Sequence, residues 1–469
     1  MADWNTSHAG GPAPLTGALA AFIAGFDPAQ VPPPVLATAL AAIRDGTGAL
    51  VAATNPAYST SRLIADLIAD LGGTGQSTVV GTTMKTNAVD AALANGTLAY
   101  ACDFEPSNSK GLVHSIAVML PTALAVGERV NATGRQFLGA VVLGCEVAYR
   151  VSCALGPAEQ YALGFHPSAL SGGFGAVAAA SYLLKLDADA AARALGLLGC
   201  QASGMMAWET DPTENARPFQ IGVAARNGVT SALLAGRGFG GPAEVFDTGH
   251  TVFHAFSRRP SPALLTEHLG ETWDGITKLK IKPYPCVSFL HPALDALFGL
   301  LRDEGIQASD VRELVLHFAK SGVHCIDSNP LKSHCAQYVL PVALVNGALE
   351  VDDLFIDRRL DNPLIAELGK AVRVEADEGE LEALFPQRYA SVIEVRTHAG
   401  KSLTRRNDIA RGNPETPLSE EDLVGKFRTL CAPVADDKRT AALLANIAGL
   451  PDAKDLTEFA ALLGQRPRT

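Results

Sequence analysis

The stretch Gly164–Leu184, GFHPSALSGGFGAVAAASYLL, decides how the rest of the chain is read. After one histidine and one proline it is built almost wholly of Gly, Ala and Ser. Proline suits the first turn of a helix, where its missing N–H costs nothing. The small residues that follow let neighbouring backbones approach closely. A helix of this kind belongs inside a packed bundle, and it places the ring of His166 at its mouth. Helix N-termini carry unpaired amide donors and partial positive charge, so an anion sits well beside that ring.

The same texture extends outward in both directions. Pro33–Ala53 has apolar spacing near 3.6. Asn87–Glu105 reads as a helix ending in an acidic loop. His114–Val130 is largely apolar, and Gly134–Leu155 is apolar nearly all round, as a central helix would be. Asp187 is placed to cap the helix that follows it. Alanine dominates and aromatics make up only 6% of the 469 residues, which favours close-packed helices over a β-sandwich. Near Glu271 the pattern changes. Arg312–Ala319, Ala371–Asp377 and Tyr389–Arg406 alternate with period two, the last as a hairpin turning at His398–Lys401. Beyond Asn413 the chain is helical again. The expected fold is therefore mainly α. A large all-helical domain is made from both chain ends (residues 1–270 and 407–469), and a smaller α+β domain spans residues 271–406.

Composition narrows the function. A hydrophobic share of 48% is enough for a large core, and a net charge of −11 argues against nucleic acid as a partner. The longest apolar stretches fall short of the roughly 20 uninterrupted residues of a membrane span, so no membrane association is expected. Residues 1–11 lack the basic and apolar regions of a signal peptide. The eight cysteines are scattered without a C-x-x-C pair, as expected of reduced thiols in a cytoplasmic protein.

Four polar groups stand out against this background. The first is DFEPSNSKGLVH, with Asp103, Glu105, Ser107 and His114, where a carboxylate can orient the imidazole; an acidic turn with a helix-capping histidine fits the same pattern. The second is His166. The third is Arg217 in ENARPFQ, suited to a bidentate grip on a carboxylate or to a solvated surface. The fourth is KLKIKPYP, where Lys278, Lys280 and Lys282 approach a kink at a domain junction; a strand edge kept soluble by lysine is the plainer reading. His250 with His254, and the His–Cys pairs at 324–325 and 334–335, offer residue types that zinc accepts. They lack a second ligand pair and there is no H-E-x-x-H, so no metal is expected.

Taken together, Asn87–Glu105, His114–Val130, Gly164–Ala180, Arg217–Pro242, Leu279–His291 and Ala336–Gly347 resemble, in order, the MmgE/PrpD family, which includes 2-methylcitrate dehydratase, cis-aconitate decarboxylase and iminodisuccinate epimerase. The resemblance implies that the smaller α+β domain is a lid domain, and it implies a homodimer and chemistry without metal or organic cofactor. It implies catalytic roles for His166, His114, Asp103, Lys282 and Tyr338, and substrate contacts from Arg217, Lys282, Ser107 and Gln220. There are departures. Tyr100 stands where members often have His, D-F-D-D has become D-F-E-P, and the H-P-S motif reads His114-Ser115. Arg217 and Gln220 replace the Lys and His of K-x-x-H, and Val287 falls near an additional histidine of the decarboxylase.

The expected function is a cofactor-independent acid–base lyase for a small di- or tricarboxylate, of the 2-methylcitrate dehydratase type. Arg217 and Lys282 would bind carboxylates, His166 or His114 would move the proton, and Asp103 would orient a histidine. An epimerase or isomerase comes next, then a decarboxylase. A carboxylate-binding protein that has lost catalysis is the alternative of another class.

Overall fold

A computed structural model describes residues 14–354 and 361–468. The N-terminal stretch read above for a signal peptide lies outside the described residues. Long helices occupy most of the chain up to Ala235, including Pro33–Ala52, Ala88–Ala101, Ser115–Val130, Gly134–Leu155, Pro167–Leu183 and Ala216–Ala235. Their ends follow local chemistry. The Asn87 side chain accepts from the amides of Val89 and Asp90, Asp187 accepts from Ala190, and Thr133 forms a capping box with Gln136.

The expected mainly α architecture holds. One apolar core gathers residues from Val31 to Leu279 and from Phe427 to Leu463, so helices from both ends of the chain share it. A separate core runs from Tyr284 to Val395. It lies under a four-stranded sheet in the order Val372–Asp377, Val311–Ala319, Ser391–Thr397, Ser402–Asn407. The first pair is parallel and the other two are antiparallel. The hairpin turns where the sequence places it, with Ser391 opposite Asn407 and Arg396 opposite Ser402. Trp273, Ile276 and Leu279 still pack in the helical core, so the chain leaves that body just before Lys280.

Two helices, Pro33–Ala52 and Gly134–Leu155, are long and apolar enough to cross a membrane by length and composition. Each is largely buried among other helices, and each carries a buried charge with a partner. Lys426 meets Asp45 at 2.7 Å, and Arg150 meets Glu146 at 2.7 Å.

The small residues of the opening stretch are used for close approach. A Cβ on Gly175 would sit 2.4 Å from the carbonyl oxygen of Gly144 on the neighbouring helix. The helix bearing Arg217 approaches the helix Ala88–Ala101 in the same way. A Cβ on Gly222 would meet the Leu93 carbonyl and the Thr97 hydroxyl at 2.3 Å each. Gly222→Ala is therefore expected to destabilise the protein by about 1–3 kcal/mol, because two backbones must separate. Chemical denaturation checks this, and an unchanged midpoint would refute it.

Candidate active site

Four helix termini and the segment that leads into the sheet-bearing region converge on one buried polar cluster beside a cleft. Tyr100 lies near the end of Ala88–Ala101. The chain then turns at Asp103, whose φ of +48° is left-handed, a conformation that aspartate tolerates better than most residues. That turn aims the Asp103 carboxylate at two cations. Lys282 Nζ donates to Asp103 Oδ1 and to its carbonyl oxygen, both at 2.7 Å, and Arg217 Nη1 lies 3.2 Å from the same Oδ1. All three residues are buried. Burial alone would raise the Asp103 pKa, but Lys282 and Arg217 outweigh it and hold the carboxyl well below its usual range.

The loop after Asp103 is tied to the lid junction. Ser107 and Asn108 pair antiparallel with Lys280 and Leu279. Behind the loop, Lys426 from the C-terminal helix Glu420–Cys431 donates to the Phe104 carbonyl at 2.8 Å, with its ammonium 3.7 Å above the Phe104 ring. The loop is thus held from both sides.

His114 and His166 occupy the N-cap positions of their helices, yet neither side chain caps. His114 Nδ1 lies 2.5 Å from Glu105 Oε1, and Glu105 has no exposed surface. The carboxylate that orients a histidine is therefore Glu105. Asp103, expected in that role, is taken up by Lys282 and Arg217. The His166 backbone is fixed by its N–H donating to the Gly204 carbonyl at 2.7 Å. Its Nε2 lies 3.4 Å from the Tyr100 hydroxyl, and the Gln220 side chain lies within hydrogen-bonding reach of the ring. The Tyr100 ring stands between the two imidazoles, 5.0 Å from His114 and 5.9 Å from His166 by centroid. The Arg217 guanidinium covers the rings of Tyr100 and Trp208.

Both imidazoles are neutral at neutral pH. Burial, with His114 and Arg217 adding to it, pushes His166 down to about 3. Burial also lowers His114, against the upward pull of Glu105. A neutral imidazole can accept a proton. An incoming carboxylate offsets Arg217 and Lys282 and makes that acceptance easier.

The remaining expected residues are placed as follows. Ser107 is buried in the short ladder opposite Lys280. Gln220 lies beside His166, and its Nε2 donates to the Met205 carbonyl. Tyr338 opens the helix Ala336–Asn346, and its hydroxyl donates to the Asp353 carbonyl at 2.6 Å. That bond ties it to the Val351–Leu354 helix, which contributes to the cleft wall.

His334, which the sequence offers only as half of a His–Cys pair, is brought to this cluster by the fold. The lid loop carrying it reaches the cleft because Val287 N–H donates to the Ser333 carbonyl at 2.9 Å. The His334 ring receives a 2.9 Å contact from Ser333 Oγ at Nδ1. Burial, followed by Arg217, pushes its pKa down to about 3. The local sequence holds no signal for this placement, since the contact spans elements far apart in the chain. The cleft is lined by Thr60, Asp103, Glu214, Arg217, Pro285 and Ser333 among others. Its empty space, open solvent included, is about 490 Å³.

Ligand atoms of Asp103, Glu105 and His114 lie within 4.8 Å of one another. The set is poorly suited to a cation, because Lys282 and Arg217 already supply the positive charge beside Asp103. An anion fits this arrangement better.

Residues 17–265 match the model of the MmgE/PrpD N-terminal domain, and residues 284–448 match that of the MmgE/PrpD C-terminal domain. The cis-aconitate decarboxylase-like protein oryM of Aspergillus oryzae is 26% identical over 96% of this chain and 97% of its own. A cis-aconitate decarboxylase of Aspergillus terreus is 26% identical over 83% of this chain and 84% of its own. The cis-aconitate decarboxylase of Homo sapiens is 27% identical over 80% and 79%.

Proposed function

Because this chain belongs to the MmgE/PrpD family, we propose that it is a lyase for a small polycarboxylate, using only its own side chains for acid–base chemistry. The observation that carries the reading is the buried Arg217–Asp103–Lys282 cluster beside two neutral imidazoles. A substrate carboxylate shares the two cations with Asp103. The fixed charge then stabilises the carbanion-like state that forms when the adjacent carbon loses a proton. His166, buried and uncharged beside Arg217, is the base that takes this proton. His114, held by Glu105, carries the proton for a leaving group.

In the hydro-lyase reading, His114 takes up a proton from solvent once the substrate carboxylate offsets Arg217 and Lys282, and then delivers it to a β-hydroxyl. That group departs as water while the electron pair left on carbon forms the double bond. The names of the relatives favour a second reading. There the electrons of a C–C bond stay on carbon as CO₂ leaves, and an imidazolium returns one proton. Both need the same cations and the same proton carriers.

Proton NMR in D₂O, with chelator present, separates them. 2-Methylcitrate, citrate, cis-aconitate, iminodisuccinate, malate and tartrate isomers form the panel. A new alkene signal with loss of hydroxyl identifies dehydration. Loss of a carboxyl carbon with one deuterium incorporated identifies decarboxylation. Exchange without net change points to epimerisation. If no panel member reacts or shifts the melting temperature of the folded protein, the reading is wrong.

A further inference from the structure

Two successive carbonyl groups between Asp103 and Glu105 are each held by a lysine from a distant part of the chain. Lys282 Nζ donates to the Asp103 oxygen at 2.7 Å. Lys426 Nζ donates to the Phe104 oxygen at 2.8 Å and sits 3.7 Å from the centroid of the Phe104 ring. A peptide unit is planar, so the Phe104 oxygen shares a plane with the nitrogen and Cα of Glu105. Whatever fixes that oxygen fixes the point from which the Glu105 side chain departs. From there Glu105 Oε1 reaches His114 Nδ1 at 2.5 Å. Among the described residues Glu105 pairs with no lysine or arginine, and its Oε2 is buried without a hydrogen bond. Its aim is therefore set by its backbone and by His114.

Lys426 is itself held in place. It lies on the helix Glu420–Cys431, which packs closely on Pro33–Ala52: a Cβ added to Gly48 would lie 3.1 Å from side-chain atoms of both Phe427 and Leu430. Arg44 grips Glu420, at the start of that helix, at 2.8 Å. Asp45 meets Lys426 Nζ at 2.7 Å, and the two side chains are almost wholly buried. Burial works against both charges, lowering the Lys426 pKa and raising that of Asp45 to about 6. A buried pair of this kind adds little stability over apolar residues of the same volume. What it does supply is a donor at a fixed point behind Phe104.

We infer that Lys426, with Asp45 behind it, is a positioning residue for proton transfer: it fixes the Phe104–Glu105 peptide so that Glu105 meets His114. The inference deepens the acid–base reading above, on which the catalytic meaning of Glu105 and His114 rests. The loop is divided between two lysines. Lys282 serves the Asp103 arm, which answers for carboxylate binding, and Lys426 serves the Glu105 arm, which answers for the proton. Lys426 also lies within electrostatic reach of Glu105. Loss of its charge alone would leave Glu105 a stronger acceptor and tighten the bond to His114. Loss of aim would weaken that bond. The two effects have opposite signs, so one measurement separates them.

Proton NMR of the full chain carrying isotopically labelled histidine, free of ligand, reads the bond directly. The Nδ1 proton of His114, held by Glu105, is expected far downfield in the wild type and upfield of that position in Glu105→Gln. Lys426→Met should move it upfield too, while Lys426→Arg, which keeps a donor and a charge, should leave it in place. Lys426→Met combined with Asp45→Asn removes the stranded acid and should match Lys426→Met, which guards against a single variant that folds poorly. With a substrate from the panel above, Lys426→Met should lower kcat roughly 10²-fold, with KM held within about a factor of three. In the Glu105→Gln background it should cost little more, since both changes break one arrangement. A wild type without the downfield signal overturns the inference. So does a folded Lys426→Met protein whose signal stays or moves further downfield, or whose loss of turnover adds in full to that of Glu105→Gln. If no panel member reacts while the signal responds as expected, the reading of function fails and the placement of Glu105 by Lys426 stands. If turnover is found and the signal does not respond, only the inference falls.

Discussion

Lys282→Met is expected to lower turnover about 10³-fold, the scale seen when a fixed charge or donor facing a developing anion is removed. It should also cost about 3–5 kcal/mol of stability, because the change leaves a buried carboxylate short of a partner. Lys282 donates twice to Asp103, at Oδ1 and at the backbone oxygen, and is 2% exposed. Arg217 alone then answers Asp103, at 3.2 Å. The pH dependence has a definite sign. Asp103 is held well below its ordinary range in the folded protein. Its contribution is therefore complete above an unfolded value of about 4 and is lost as pH falls through the folded one. Removing Lys282 moves this acid limb to higher pH. Pairing Lys282→Met with Asp103→Asn should recover much of the stability and none of the turnover. Denaturation midpoints across pH, with kcat measured on the same samples, check all of this. A single variant that unfolds like the wild type would sink the account of the cluster.

Glu105→Gln is the second large effect. The wild-type carboxylate sits 2.5 Å from His114 Nδ1 and both orients the ring and raises its basicity. The amide keeps the shape but loses the charge. Turnover should fall about 10²–10⁴-fold, the usual worth of a positioned acid–base group, with KM little changed because Glu105 faces the imidazole rather than the cations. His114 is already lowered by burial, and without Glu105 its limb of the kcat profile shifts to lower pH. A full pH profile of kcat and KM reads both effects. If kcat holds within a factor of three and the limb does not move, His114 is not the proton carrier.

Much of the architecture is legible in local spacing. The helical periods, the Asp187 cap and the hairpin at residues 398–401 each depend on neighbours a few residues apart, and the structure reproduces them. The clustering of Asp103, His114, His166, Arg217 and Lys282 was accessible through order and motif. Their division of labour was not. Nothing in D-F-E-P tells that Asp103 turns left-handed toward the lid while Glu105 turns toward His114, since one backbone dihedral decides it. The parallel pairing of Val311–Ala319 with Val372–Asp377 is equally hidden in strands that alternate alike. His334 acquires meaning only through its place within electrostatic reach of Arg217 and Asp103, both more than 110 residues away in sequence.

The helical core that holds the cleft draws on residues from Val31 onward and on Phe427–Leu463, and the Phe104 carbonyl is held by Lys426. This imposes an order of events during synthesis. The first helices leave the ribosome long before the segment that completes their core, and the lid can assemble meanwhile from a continuous stretch. Apolar faces of the early helices therefore wait, exposed, for the final turns of the chain. Premature termination near residue 420 would yield a lid on an unfinished body, a species suited to chaperone capture rather than to partial activity.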